Sequence, residues 1–162
     1  MALDGEKIKG QAVGAFAGNE GSAAEKTRAQ QVVVGRPLHI PVTTTANTDS
    51  QHGICSIPYA LKVLGATYVA HTGAQASAAA DGWQFTIKYD DGAGGASTAV
   101  TSAMTTASVP IVAGTRRSFT LTNSAPVTIP AGSRVFVLAD ATNTAATANA
   151  IIGSVSLNCE EL

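Results

Sequence analysis

Three histidines are the side chains of this sequence best suited to metal binding or acid–base chemistry. His39, His52 and His71 lie on three separate segments. None has a second ligand at the short spacing at which metal-binding side chains usually occur. A double-sheet barrel can still hold a metal ion where histidines from different strands converge with a carboxylate. We therefore expect surface or strand-end positions for all three, and a metal enzyme built on such a barrel stays open as the enzyme-class alternative.

A catalytic nucleophile needs a neighbouring base and a third group that orients the base. Serine and threonine are abundant, but no Gly-x-Ser-x-Gly elbow occurs. His52 stands three residues before Cys55, without a local cysteine–histidine signature around them. The sequence predicts no covalent catalyst.

Two close pairs of carboxylates occur, Asp90-Asp91 and Glu160-Glu161. The first pair precedes Gly92, and aspartate is favoured in such turns because its side chain bonds the local backbone. Residues 90–95 lack the alternating oxygen ligands and terminal glutamate of a calcium loop. The second pair lies at the end of the chain, where it is solvated. We therefore predict a protein that is not an enzyme, with no catalytic residue, no metal site and no cofactor.

The composition indicates a surface that contacts other protein. Charged residues make up 13% of the chain, about half the usual share, and small residues are abundant. The net charge of −1 argues against a nucleic-acid partner, which requires a basic face.

The apolar runs are too short to span a membrane, and Met1–Gly10 lacks the apolar region of a secretory signal. We expect synthesis in the cytoplasm without export, and therefore two reduced thiols, with a disulfide between Cys55 and Cys159 as the alternative.

Residues 32–162 read as β-structure throughout. The segment Trp83–Tyr89 is the cleanest strand, with four large apolar residues on one face and three polar ones on the other. Leu61–Thr72 is a long strand with Gly65 as the expected bulge. Further strands are expected at 32–34, 38–43, 54–58, 98–104, 118–122, 134–138 and 151–159.

These elements predict an all-β domain of about eight strands in two antiparallel sheets, a jelly-roll sandwich rather than an immunoglobulin fold. The small-residue loops 74–80 and 142–149 are expected to be exposed tips. Apolar residues that alternate along the strands form the predicted core: Leu64, Tyr68, Trp83, Phe85, Ile87, Phe119, Leu121, Val135, Val137, Val155 and Leu157.

Residues 1–31 differ from the rest of the chain. Recurrent glycines prevent a long helix or strand from running through them, although Ser22 and Glu25 form a capping box for a short helix at 23–30. Two interpretations remain open. The segment is either a loosely ordered tail or an arm, partly extended, that becomes ordered on a neighbouring subunit.

A resemblance to a known family rests on the last third of the chain. The turn Thr128–Ser133 leads into an apolar strand at 134–138, and after a polar loop at 140–149 the strand at 151–159 closes the chain. Together with the Gly/Ala-rich N-terminus and the strand Trp83–Tyr89 ending in an Asp-Gly turn, this pattern resembles the small jelly-roll decoration, or cement, proteins of tailed-bacteriophage heads. The resemblance covers about residues 31–162.

The resemblance implies a virion protein that binds the outside of an assembled capsid and bridges neighbouring major capsid subunits. It implies a homo-oligomer, a trimer at local threefold axes or a dimer at twofold axes, and no catalytic residue. Apolar anchors of the arm and two arginines that bracket the first strand are the candidate contacts: Leu3, Ile8, Phe16, Arg28 and Arg36. The alternative is a receptor- or carbohydrate-binding module of a head or tail fibre, for which Tyr59 is the aromatic residue expected to be exposed.

Overall fold

A computed structural model describes residues 37–53, 56–76, 82–93, 95–107, 109–142 and 148–162. The predicted arm at 1–31, its helix at 23–30 and the strand at 32–34 lie outside the described residues. So do Cys55 and all five candidate contacts: Leu3, Ile8, Phe16, Arg28 and Arg36.

Ten strands are present in the described part of the chain, with one 3-10 turn at Thr122–Ser124. The strands are β1 (Leu38–Thr43), β2 (Ser50–Gly53), β3 (Leu61–Thr72), β4 (Gly82–Asp90), β5 (Thr98–Ala99), β6 (Met104–Thr105), β7 (Arg116–Ser118), β8 (Val127–Ile129), β9 (Arg134–Thr142) and β10 (Ile152–Glu161).

The strands form two antiparallel sheets packed as a sandwich. The first sheet has the order β1-β10-β3, with β7 and β8 one after the other along the far edge of β3. The second sheet has the order β2-β9-β4, with β5 and β6 sharing the far edge of β4. Ten strands therefore fill eight positions, and the chain changes sheet six times: between β1 and β2, β2 and β3, β3 and β4, β6 and β7, β8 and β9, and β9 and β10. The predicted jelly-roll sandwich is confirmed.

The core lies between the two sheets and contains most of the predicted residues. Trp83, Phe85 and Tyr68 are fully buried. The rings of Tyr68 and Phe85 stack with centroids 5.0 Å apart, and Trp83 packs on the other side with its centroid 5.9 Å from that of Phe85. The remaining confirmed core residues are Ile87, Phe119, Val135, Val137, Val155 and Leu157, with Leu121 packed against them at partial exposure.

Leu64 is a correction to the predicted core, because its side chain is 38% exposed. A register shift opposes Asn158 to Gly65 and Cys159 to Val63, so Leu64 has no partner on β10. This is the bulge expected at Gly65. An extra residue in one strand shifts every following side chain to the opposite face of the sheet. Odd-numbered residues of β3 point inward before the bulge and even-numbered ones after it.

Four strand predictions were wrong in their boundaries. The strand expected at 134–138 continues to Thr142, because it pairs with β4 as far as Gly82. Residues 140–142 therefore belong to β9 and not to the expected polar loop. The segment 98–104 is split between β5 and β6, because both Val100 N and Thr101 N bond the carbonyl of Ile87 and interrupt the ladder. The segment 118–122 is mostly outside β7, since the chain enters the 3-10 turn with Asn123 at φ 59°. At 54–58, residues 56–58 form a loop, and the strand here is the preceding, polar β2.

Candidate interaction surfaces

The outer face of the first sheet carries mostly short side chains, aligned across four strands. Each strand contributes alternate residues to it, opposite the neighbours that enter the core. The register places two adjacent rows on this face, His39, Ser156, Thr67 and Ser118 in one, and Pro41, Ser154, Val69 and Arg116 in the other. We call these eight residues the row surface.

Two histidines on this side of the sheet are held by serines of the row surface. Ser156 Oγ lies 2.9 Å from His39 Nδ1, and Ser154 Oγ lies 3.0 Å from His71 Nε2. Both serines belong to β10, two positions apart, so one strand fixes the imidazoles that flank it. A side chain that is already held loses less conformational freedom when a partner binds.

His52 lies apart from the other two histidines, on β2 of the second sheet. Its Nε2 is 2.9 Å from Ser50 Oγ, and partial burial lowers its pKa. Each histidine thus hydrogen-bonds a serine, and the three do not meet at one point. Within the described ranges, no group of three or more His, Cys, Asp and Glu side chains is arranged to hold a metal ion.

The two adjacent arginines of β7 have different roles. Arg117 is half-buried, and its guanidinium donates to the carbonyl oxygens of Val109 and Thr105, each at 3.0 Å. Burial lowers its pKa, and its contacts connect β7 to β6 and to the loop between these two strands. Arg116 is exposed at the edge of the row surface. Of the pair, Arg116 is therefore the one placed to contact an acidic partner.

One end of the sandwich, which we call the Gln75 end, is tied together by a buried amide. The backbone N and O of Gln75 both bond Ile111, and its Oε1 accepts from Asn149 N at 2.7 Å. Trp83 Nε1 donates to the Asn149 carbonyl at 2.7 Å. The expectation that 74–80 and 142–149 are exposed tips holds for Ala74, Ala76 and Asn149 but is wrong for Gln75 and Ala148, which are buried. Residues 77–80 and 143–147 lie outside the described ranges.

The outer face of the second sheet has an apolar centre that the sequence analysis did not single out. Phe136 is buried although it points away from the core, and it lies opposite Gly53 on β2 and Lys88 on β4. A Cβ at residue 53 would stand 3.3 Å from the Cβ of Phe136. An aromatic ring beside an edge glycine compensates for the side chain that the glycine lacks. In the sequence, the only indication of this apolar centre was the uninterrupted run of apolar residues at 135–138 in β9.

Cys159 is buried, and its thiol forms no disulfide with another described residue. Burial raises the pKa of this thiol to about 11. The thiolate is the reactive form of cysteine, so Cys159 is inert near neutral pH and acts as a packing residue of β10.

No helix among the described residues is long and apolar enough to cross a membrane.

Comparison with known proteins gives only distant structural likenesses. The sequence matches no family model and no curated protein. The fold is similar to a chain in the structure of infectious bursal disease virus strain Gx, with a TM-score of 0.33 and 15% identity over 76% of this chain and 32% of that one. It is also similar to the VP2 subviral particle of the same virus, with a TM-score of 0.34 and 15% identity over 79% of this chain and 34% of that one. This chain spans about a third of each of those chains. At these values the likeness assigns no function.

Proposed function

We propose that this protein is a structural virion protein that binds the outer surface of a tailed-phage capsid and bridges neighbouring major capsid subunits. The observation that supports this proposal is the row surface of the first sheet. Six of its eight side chains are short, the exceptions being His39 and Arg116, and the eight are aligned across four strands with a single formal charge, that of Arg116. A flat face of this kind allows close approach of another protein over a broad area.

The physical effect on the shell is mass action. A protein that binds the assembled capsid and not the free subunits stabilises the assembly by its binding free energy. Because the serine–histidine contacts already fix part of the row surface, less entropy is lost on docking. Arg116 adds a cation for an acidic group of the shell protein.

The proposal includes a homo-oligomer, with a trimer favoured over a dimer, and a contact role for the arm at 1–31. A closed trimer uses the same two complementary patches on every copy, and a twofold dimer a single self-complementary patch. Light scattering after size exclusion gives the mass in solution, which we expect at three times the 16.3 kDa of the chain. Deletion of residues 1–31 should weaken capsid binding if Leu3, Ile8, Phe16 and Arg28 are contacts.

The test is co-sedimentation of the full chain with expanded, emptied heads of the phage that encodes it. Thr67→Lys places a long charged side chain at the centre of the row surface. Thr86→Lys is the matched control, because Thr86 occupies the equivalent outward position on β4 of the second sheet. We expect the first substitution to abolish sedimentation and the second to leave it unchanged. Failure of the unaltered protein to bind, or equal binding by both variants, would contradict the proposal.

A further inference from the structure

The end of the sandwich opposite Gln75, which we call the Asp91 end, contains an open pocket of about 340 Å³. It lies between the loop after β4 and the turn that joins β8 to β9. Side chains of mixed chemistry line it, among them Tyr89, Asp91, Thr98, Pro130 and Ser133. The volume falls at the lower end of the range found for small-molecule sites.

The β4 side of the pocket is fixed by two carboxylates with separate roles. Asp90 accepts from Arg134 Nη2 at 2.7 Å and Nε at 3.2 Å, and from Gly92 N at 2.9 Å. The negative charge of Asp90 is therefore balanced by the Arg134 guanidinium. Asp91 Oδ1 accepts from Ala93 N at 2.9 Å, and the ion pairs of the described residues include no cationic partner for it. The pocket therefore carries one carboxylate whose charge is not balanced by a basic side chain.

The turn between β8 and β9, which forms the opposite wall of the pocket, is held by backbone hydrogen bonds. Gly132 adopts φ +82°, which favours glycine, and its N donates to the Ile57 carbonyl at 2.7 Å. Ser133 O accepts from Ile57 N at 2.9 Å. These bonds join the turn to the loop at 56–60, so the wall is preformed, and ordering it adds little to the cost of binding a ligand.

We propose that this pocket binds a neutral saccharide. The unbalanced carboxylate of Asp91 disfavours an anion, and an apolar ligand would displace water from that carboxylate and from the Thr98 hydroxyl without replacing its hydrogen bonds. A sugar supplies hydroxyl donors for Asp91 and apolar C–H faces for the ring of Tyr89. Such a site is independent of the row surface and does not rest on capsid binding. A cationic side chain of a protein partner is the competing ligand, since a carboxylate beside an aromatic ring also suits a cation.

The test is titration of the ¹⁵N-labelled full chain with methyl glycosides of glucose, galactose and mannose and with N-acetylglucosamine, in buffer containing EDTA. We expect at least one sugar to shift the amides of Ala93, Thr98 and Gly132 saturably. Asp91→Asn keeps the size of the side chain and an oxygen acceptor for Ala93 N, and should weaken binding about tenfold. Glu161→Gln, which removes the same charge at this end outside the pocket, should not.

Three results would overturn the inference. One is the absence of saturable shifts with every sugar. Another is a set of shifts centred on the exposed Tyr59 and unaffected by Asp91→Asn, which would place the sugar elsewhere. The third is binding of N-acetyl-lysine methylamide, lost in Asp91→Asn, without binding of any sugar, which would assign the pocket to a cationic side chain. Equal thermal unfolding of the variants establishes that the fold is retained.

Discussion

Gly153 of β10 provides the space that the hydroxyl group of Tyr68 occupies in the core. A Cβ at residue 153 would stand 2.6 Å from Tyr68 Oη and 2.8 Å from Cζ, well inside van der Waals contact. The same Cβ would also stand 2.6 Å from the backbone carbonyl oxygen of Val69, so a shift of the Tyr68 ring alone would not relieve the overlap. The stacking of Tyr68 on Phe85 therefore depends on a glycine in the neighbouring strand.

Gly153→Ala is expected to lower the free energy of unfolding by about 1–3 kcal/mol, because overpacking forces the phenol ring or β10 to shift. Chemical denaturation measures the change. Gly65→Ala is the control, since a Cβ at residue 65 of the same sheet meets nothing within 4 Å; we expect a change below about 1 kcal/mol there. Equal losses in the two variants would show that the contact with Tyr68 is not the cause.

Tyr68→Phe is expected to stabilise the protein. The Tyr68 hydroxyl is buried without a hydrogen-bond partner among the described residues, and burial raises its pKa to about 12. Replacing an unsatisfied buried hydroxyl with hydrogen removes a desolvation cost of about 1 kcal/mol and keeps the stack on Phe85. Tyr59→Phe, at a 43% exposed position, should leave stability unchanged. A loss of stability in Tyr68→Phe alone would mean that the hydroxyl has a partner, such as a buried water.

Asp140 should make the protein less stable as the pH rises. Burial, and then the charge of Asp49, raise the pKa of this carboxyl, while Lys88 partly opposes them. The folded state therefore holds the proton more tightly than the unfolded state, and stability falls as the pH rises from the ordinary value through the folded one. Asp140→Asn should remove that fall and be the more stable protein at neutral pH.

Urea unfolding between about pH 3 and pH 7 measures the effect of Asp140. Asp49→Asn is the informative second variant, because it removes the charge but leaves an oxygen that can accept from Ala141 N, the bond that Asp49 makes at 2.7 Å. It should reduce the pH dependence without abolishing it. If Asp140→Asn differs from the unaltered protein by the same free energy of unfolding at both ends of this pH range, Asp140 does not titrate as its surroundings indicate.

The fold was predictable where a strand alternates cleanly and is covered on one face. In β4, Trp83, Phe85 and Ile87 enter the core as expected, because period-2 alternation has a single arrangement that buries its apolar side. In β3 the same reasoning failed at Leu64, since a bulge reverses the alternation and its exact position depends on the partner strand. The polar β2 was missed because an edge strand paired only with β9 carries little hydrophobic signal.

The candidate surfaces were less predictable, because they depend on register. Ser154 and Ser156 are ordinary residues in the sequence, and only their pairing with β1 and β3 brings them to His39 and His71. The pocket at the Asp91 end joins loops that are about 40 residues apart in the sequence. Tyr89 was placed inside a strand pattern, yet its position at the end of β4 lets it line the pocket.

Gly82 at the start of β4 should be more sensitive to substitution than Gly92 in the loop that follows β4. It adopts φ +127°, and a Cβ there would overlap the hydroxyl oxygen of Thr106, which accepts from Trp83 N at 2.9 Å. Gly82→Ala therefore combines backbone strain with displacement of a buried hydrogen-bond acceptor, and we expect a loss of about 3 kcal/mol in the free energy of unfolding.

Gly92→Ala separates the effect of backbone strain from the effect of the overlap with Thr106. Gly92 also has a positive φ, +75°, but a Cβ there meets nothing within 4 Å, so only backbone strain of about 1 kcal/mol is expected. The double variant Gly82→Ala, Thr106→Ala should show non-additive losses, because removal of the hydroxyl relieves the overlap that the alanine creates. Strict additivity of the two substitutions, or equal losses at residues 82 and 92, would show that Gly82 is needed for its backbone conformation alone.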